Sequence, residues 1–459
     1  MATNSYDEKA TARNAEPQIF EEENPEKPIP KYDKIDYSGA HEKTDPKEIA
    51  LVKKLDRWMM PMLWSMYWLN YLDQYQTCVS ILFVGYIIGQ VPSNMFLTRT
   101  RPSRYMGLMM MLWAVVSALT AISKNFTGLL LTRFFLGVTE APYYPGAVYL
   151  LSIFYTRKEI ATRIAILYTG NILATAFAGL IAAGIFHGMD GLAGIAGWKW
   201  LFILQGAITF VIAVVGYFVL PDFPLTTWWL TEDERNLAYN RMELDTVANK
   251  GETSTFQGLK QATKDPMVWI FCLMANGFKN FFPSVVKTLG FNTTITLVLT
   301  CPPYLIAGAT TIIVSHMSGK FNERTWHITA SKAVAVIGFA IAPAVSSTAG
   351  RYVAMVVFTI GTYAVNSLIL GWCGSVCGQT KEKKAVAISM VTMIMNISFI
   401  WTPYLWRTKD EPRYIPAMAS SAGFSIATAA LAWLAKILLK KRNQKLRTQD
   451  DETTVFYVY

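Results

Sequence analysis

The chain has 459 residues, of which 52% are hydrophobic and 16% charged, with a formal net charge of +10. Length alone would suit several soluble domains, but the apolar residues gather into blocks of about 18 to 25, the length that spans a hydrocarbon core of about 30 Å. Nucleic acid is not the partner this charge implies, because Lys and Arg sit in short links between apolar runs and in the stretch "KILLKKRNQKLR", a placement that reads as membrane topology.

Residues 1–50 are polar, rich in Glu, Lys and Pro, and lack an apolar core of the kind a cleavable signal peptide needs. They predict a disordered cytosolic tail. Apolar segments follow at 57–72, 76–98, 105–122, 126–151, 162–186 and 198–220, and again at 267–291, 294–314, 327–346, 352–376, 385–406 and 415–439. The expected fold is therefore an all-α polytopic membrane protein of twelve spans in two sets of six, 51–221 and 267–439. The long polar link 222–266 divides them, and 440–459 form a second cytosolic tail. Basic links follow the even-numbered segments, whereas the other links are sparsely basic, with "RTKDEPR" (407–413) the exception. Both termini and the long link are thereby placed in the cytosol. Within that link Thr231, with Glu234 three residues on, predicts a capping box and a surface helix.

Each half carries a basic, Ser-containing link between its second and third spans. These are "LTRTRPSR", with Arg99, Arg101 and Arg104, and "HMSGKFNER", with Lys320 and Arg324. Six spans plus six, with such links at matching positions, is the outline of a transporter built from two repeats. An intramembrane enzyme would need a catalytic cluster, and no HExxH, no nucleophile elbow and no His pair at ligand spacing occurs. Cys373 and Cys377 are four apart but no His or carboxylate joins them, so no metal and no cofactor is expected.

Polar groups within apolar spans usually face a bundle interior or a wet cavity. The fourth span, "RFFLGVTEAPYYPGAVY", holds the strongest case. Arg133 and Glu140, seven residues apart, share one helix face about 10 Å apart along the axis, too far to pair with each other. A carboxylate at the depth of Glu140 can take up a proton on one side and release it on the other, or it can pair with a cation on a neighbouring helix. Arg133, in the outer third, either attracts an anion or locks its helix to a neighbour. Gly137, Pro142, Pro145 and Gly146 free backbone carbonyls and allow close approach, as a hinge or a packing contact requires. Asn70, Asn171, Asn366 and Trp401 are candidates for a cavity lining.

"RFFLGVTEAPYYPG" resembles the fourth-helix signature of the major facilitator superfamily. "GYIIGQVPSN…RTRPSR", "GWKWLFILQGAITFVIAVVGYFVLPDFP", "WLTEDER", "FFPSVVKTLGF", "NERTWHITASKA" and "FIWTPYLW" resemble one branch of it, the fungal allantoate permease group of anion:cation symporters, which includes nicotinic acid, pantothenate and biotin permeases. The likeness covers about 50–440. It implies the major facilitator fold and proton-coupled movement of a small organic anion by alternating access, without a cofactor. Glu140 then matches a protonation site, Arg133 the second charged residue of the fourth helix, and Arg99, Arg101 and Arg104 the cytosolic latch. Members of the group read Asn-Tyr-Leu-Asp-Arg in the first helix, where the Arg is a carboxylate clamp and the Asp a second proton site. This chain has Asn70, Tyr71, Leu72, Asp73 and then Gln74, as though the Arg and the external loop after it had been cut out. The seventh span is also short and brings Lys279 toward mid-span, so recognition of a carboxylate falls to Arg133, Lys279 or backbone dipoles. The resulting expectation is an importer of a nicotinate-like carboxylate at the plasma membrane, working as a monomer with protons and lipid as its other partners. Export of a fungal secondary metabolite and a non-transporting receptor or inactive paralogue are the alternatives.

Overall fold

The computed structural model describes residues 36–40, 43–73, 79–247, 253–275, 286, 290, 293–411, 413–449 and 455–459, with no strand among them. The first half contains α1 (Pro46–Asp73), α2 (Val79–Leu97), α3 (Pro102–Thr120), α4 (Phe126–Glu140), α5 (Tyr143–Phe154), α6 (Ile160–Met189) and α7 (Gly197–Val219). The link carries α8 (Glu232–Asp245) and α9 (Thr255–Lys264). The second half contains α10 (Pro266–Met274), α11 (Thr293–Phe321), α12 (Thr325–Ala344), α13 (Thr348–Val376), α14 (Lys381–Trp401) and α15 (Ile415–Gln449). The capping box forms as the sequence predicts: the Thr231 side chain accepts from the Glu234 backbone and Glu234 reaches back to Thr231.

Eight of the described helices, α3, α6, α7 and α11 to α15, are long and apolar enough to cross a bilayer. The other four expected spans depart from that form for separate reasons. α1 starts in a charged stretch, and its apolar part is rich in Trp and Tyr, which add little hydropathy. Of α2, the side chains are described from Ile81 to Leu97, an apolar helix just under the length required. The fourth span is divided into α4 and α5 at Ala141 and Pro142, where Pro142 and Pro145 cannot donate to the carbonyls of Val138 and Ala141. The seventh is described only as α10 and Ala275. The junction after Asp73, the side chain of Asp73, and Lys279 lie outside the described residues.

The outside of the bundle is apolar: Phe96, Val211, Phe218, Ile313 and Val353 are all more than half exposed. The interior instead holds Asn70, Gln90, Arg133, Glu140 and Asn171, each at most 3% exposed. That inversion is what a helical bundle in lipid requires, since hydrocarbon solvates Phe and Val but not a carboxylate. Within the first half, α2 and α4 cross at backbone contact: a Cβ on Gly85 would run into the Phe134 carbonyl oxygen, and one on Gly137 into that of Leu82. Gly137 thus serves the close crossing one turn before the break. Replacing Gly137 by Leu is expected to abolish folded protein at the membrane, checked by monodisperse yield after detergent extraction; near-normal yield would refute the crossing as a requirement.

Two halves meet along α6 with α11, α2 with α14, and α5 and α6 with α13. Parts of both expected cytosolic tails pack on the bundle. Residues 1–35 lie outside the described residues, but Ser38 and Ala40 are buried and α1 already begins at Pro46. Similarly α15 continues to Gln449, and Tyr457 and Val458 are buried against the bundle. The face where 36–40 and 455–459 meet is called the terminal face below.

Candidate functional site

Glu140 ends α4 at the break in the fourth span and is fully buried. Its Oε1 accepts from Nδ2 of Asn70, also fully buried, one turn before the end of α1. The proline break therefore sets a carboxylate and an amide of two different helices against each other deep in the first half. Arg133 has another neighbour. Its guanidinium lies 4.7 Å from the ring centroid of Phe202 on α7, so the two charged residues of α4 engage different helices, as their axial separation demands.

Beside Asn70 and Glu140 lies a tyrosine cluster that hydropathy patterning does not single out. Tyr67 on α1 stacks on Tyr144 of α5 with centroids 4.7 Å apart and planes 9° apart. Tyr67 is 6.3 Å from Tyr168 on α6. Tyr168 in turn lies 6.2 Å from Tyr363 on α13, and Tyr363 is 5.7 Å from Tyr304 on α11. The rings run from the first half into the second. Asn171 joins this group, its Nδ2 lying 3.5 Å from the Tyr67 hydroxyl. Asn366, 9% exposed, is on α13 three residues after Tyr363. The available sequence signal is Tyr67 with Tyr71 at i, i+4, and the pair Tyr143–Tyr144 shortly after Glu140. Elsewhere across the interface, Gln90 donates to Thr392 at 2.8 Å and Phe83 stacks on Phe399 at 4.5 Å. Trp401 does not join this centre: it packs on Phe424 of α15, a residue 41% exposed.

At the terminal face the expected latch residues separate into two kinds. Arg99 pairs with Glu382 at the start of α14, 3.2 Å away, and donates to Thr253 and Thr255 beside α9. Arg324, 1% exposed, donates to Ser318 at 2.7 Å and to the Arg157 carbonyl. Arg101, Arg104 and Lys320 are exposed. Arg157, between α5 and α6, carries in the sequence only the signal of a topological charge. It is 3% exposed and donates from both its backbone N–H and its Nε to the Asp245 carboxylate, each at 2.7 Å. Close by, Glu159 pairs with Lys43 at 2.8 Å and with Arg241, and Asp36 pairs with Lys158 at 3.1 Å while accepting from Asn322 at 2.8 Å.

Burial pushes the Glu159 carboxyl up, but the charges of Arg241 and Lys43 outweigh it and hold the group below its ordinary value. Asp36 is likewise held low, with burial outweighed by hydrogen bonds from Ser38 and Asn322 and by the Lys158 charge. Both are therefore anions at neutral pH. The terminal face is closed by ion pairs and hydrogen bonds that join α1, the α5–α6 turn, α8 and the α11–α12 turn.

Residues 50–403 match the Major Facilitator Superfamily. The chain is 31% identical over 363 residues to the MFS transporter prlL of Fungal sp. (strain NRRL 50135), covering 71% of this chain and 73% of that one. It is 28% identical over 442 residues to the major facilitator-type transporter hxnP of Emericella nidulans, covering 88% of each. Among solved structures, the proton:xylose symporter XylE bound to 6-bromo-6-deoxy-D-glucose aligns with a TM-score of 0.61 at 12% identity, over 85% of this chain and 96% of that one. A bacterial homologue of the human lysosomal transporter Spinster, inward-facing and occupied, aligns with a TM-score of 0.54 at 16% identity, over 84% and 97%. Family match and fold agree, and this chain belongs to the major facilitator superfamily of membrane transporters.

Proposed function

We propose that this transporter couples uptake of a small organic anion to protons, with Glu140 as the proton-carrying group and the tyrosine-lined centre as the substrate site. The observation that carries the reading is the fully buried Glu140 carboxylate, held by the Asn70 amide at the break between α4 and α5. Protonation changes the charge of this group at a point where one helix is already interrupted, so proton loading and helix geometry are joined in the same place. Asn70, Asn171 and Asn366 offer amide donors beside flat tyrosine faces, a lining suited to a planar acid of nicotinate-like size. The cation over Phe202 favours a packing role for Arg133. Carboxylate capture then rests with the amides and with Lys279, and Asp73 is kept as a second proton group. The resemblance to the allantoate permease group points to the same substrate class. The basic terminal face is taken as cytosolic, following the distribution of Lys and Arg in the short links, and alternating access moves the halves about the centre.

The test is uptake of labelled nicotinate and a panel of organic acids by this chain in a permease-deficient yeast at pH 5 and pH 7.5. Faster uptake of at least one acid at pH 5 supports proton-coupled import. Protein that reaches the membrane yet takes up none of them, with faster loss of an acid from preloaded cells, supports export instead.

A further inference from the structure

Residues 455–459, "VFYVY", follow a polar acidic spacer and read in the sequence as part of a cytosolic tail. In the structure they are wedged into the terminal face, with Tyr457 7% and Val458 2% exposed. Their seat is the second half. The indole N–H of Trp372, fully buried on α13, donates to the Val458 carbonyl at 2.8 Å. Asn443 on α15 makes a two-way pair with the Tyr457 backbone, accepting its N–H at 2.9 Å and donating to its carbonyl at 2.8 Å. Gln379 donates to the Tyr457 hydroxyl at 3.0 Å. Arg447 sits over the Phe456 ring at 4.7 Å, and Lys440 over Tyr459 at 5.2 Å.

The other edge of the same five residues holds Arg157 of the first half and the segment 36–40 ahead of α1, which also bonds Asn322 of the second half. The Phe456 N–H donates to the Ser38 carbonyl at 2.8 Å, and Arg157 donates to the Phe456 carbonyl at 2.6 Å. The Tyr459 N–H donates to the Tyr37 hydroxyl at 3.2 Å, with the two rings 4.6 Å apart. Arg157 is itself fixed by Asp245. Through Arg157 the segment ties the first half to the second at this face while both edges stay engaged. Buried indole and amide donors matched to the carbonyls of one short segment make a dedicated seat, which would be left unsatisfied each time the segment withdrew.

We propose that residues 455–459 form a releasable strap that locks the two halves together at the terminal face, so that the strap must let go of one half before that face opens. The inference rests on the alternating-access reading above, but it concerns conformation and is measured without substrate. The five native cysteines are replaced, and spin labels are attached at Lys53→Cys on α1 and Phe321→Cys on α11, both exposed positions at this face in different halves. Electron–electron distance distributions are then recorded on the purified full chain, on a chain stopped after Gln449, and on Asn443→Ala.

A dominant short distance is expected for the full chain, with the open, longer-distance population raised roughly tenfold by truncation, the weight of one to two net hydrogen bonds. Asn443→Ala should shift it in the same direction by a smaller factor, and it answers the question alone if the truncated chain aggregates. Folded variants with the full-chain distribution would overturn the strap. Because no transport is read, a protein that moves none of the acids tested still shows whether the strap holds the face shut.

Discussion

Glu140→Gln is expected to abolish accumulative uptake while leaving substrate exchange intact. The carboxylate is wholly buried and accepts from Asn70. Glutamine keeps the shape and keeps an oxygen to accept the same hydrogen bond, so the packing around α1 and α4 survives. What it removes is the ability to gain and lose a proton. Each pH unit of gradient is worth about 1.36 kcal/mol to one coupled proton, so a difference of about two units sustains roughly hundredfold accumulation. The variant should accumulate nothing beyond equilibrium at either pH 5 or pH 7.5, and its uptake should lose the rise toward acid pH. Exchange of external label for preloaded substrate should persist within a few-fold, because the neutral side chain mimics the protonated carrier. Accumulation near the wild-type level would reduce Glu140 to a structural partner of Asn70.

Much of this centre was legible in the sequence because a charge inside an apolar run is costly and therefore conspicuous. Glu140, Arg133 and the proline break stand out against Leu, Phe and Val, and the structure puts each on the fourth span. Partners were not legible. Nothing in spacing tells that Arg133 faces Phe202 while Glu140 faces Asn70, since that depends on how α1 and α7 are rotated against α4. The tyrosines were invisible for a different reason: a Tyr in a membrane helix fits the interface, the core and a cavity equally well by composition. Trp401 shows the converse, an amphipathic residue at a helix end that packs on Phe424 of α15. The chain ends misled because polar composition over 1–50 and 440–459 masked two short segments, 36–40 and 455–459, whose contacts lie hundreds of residues away, as from Tyr37 to Asn322 and from Ser38 to Phe456.

Among the buried ion pairs, the largest effect on stability should come from Arg157. Five hydrogen bonds from its backbone and guanidinium reach Asp245, Ser38 and Phe456, and it is 3% exposed. Arg157→Met keeps the length and apolar stem of the side chain and the backbone N–H that bonds Asp245, but it removes the guanidinium from the Asp245 carboxylate and leaves the Phe456 carbonyl without this donor. Breaking a buried pair from one side costs about 3 to 5 kcal/mol, whereas Lys320→Met, at an exposed position of the same face, should stay within about 0.5 kcal/mol. The contrast is read as thermal unfolding of the purified protein in detergent.

The pH dependence of this face follows from two of its carboxylates. Asp36 and Glu159 are held below their ordinary values of 3.8 and 4.5. Their contribution to the seal is therefore complete above those values and is lost only as the pH falls through the lower folded ones. The gap between Glu159→Gln and the full chain should accordingly be the same at pH 5 as at pH 7.5. A gap that closes at pH 5 would mean that a group titrating nearer neutrality holds this face shut, and it would move the seal away from the Arg157, Asp36 and Glu159 cluster. An equal gap leaves the terminal face insensitive to the pH range of the proposed proton-coupled uptake, so the proposal assigns proton coupling to Glu140 in the centre and opening of this face to the contacts that join its two halves.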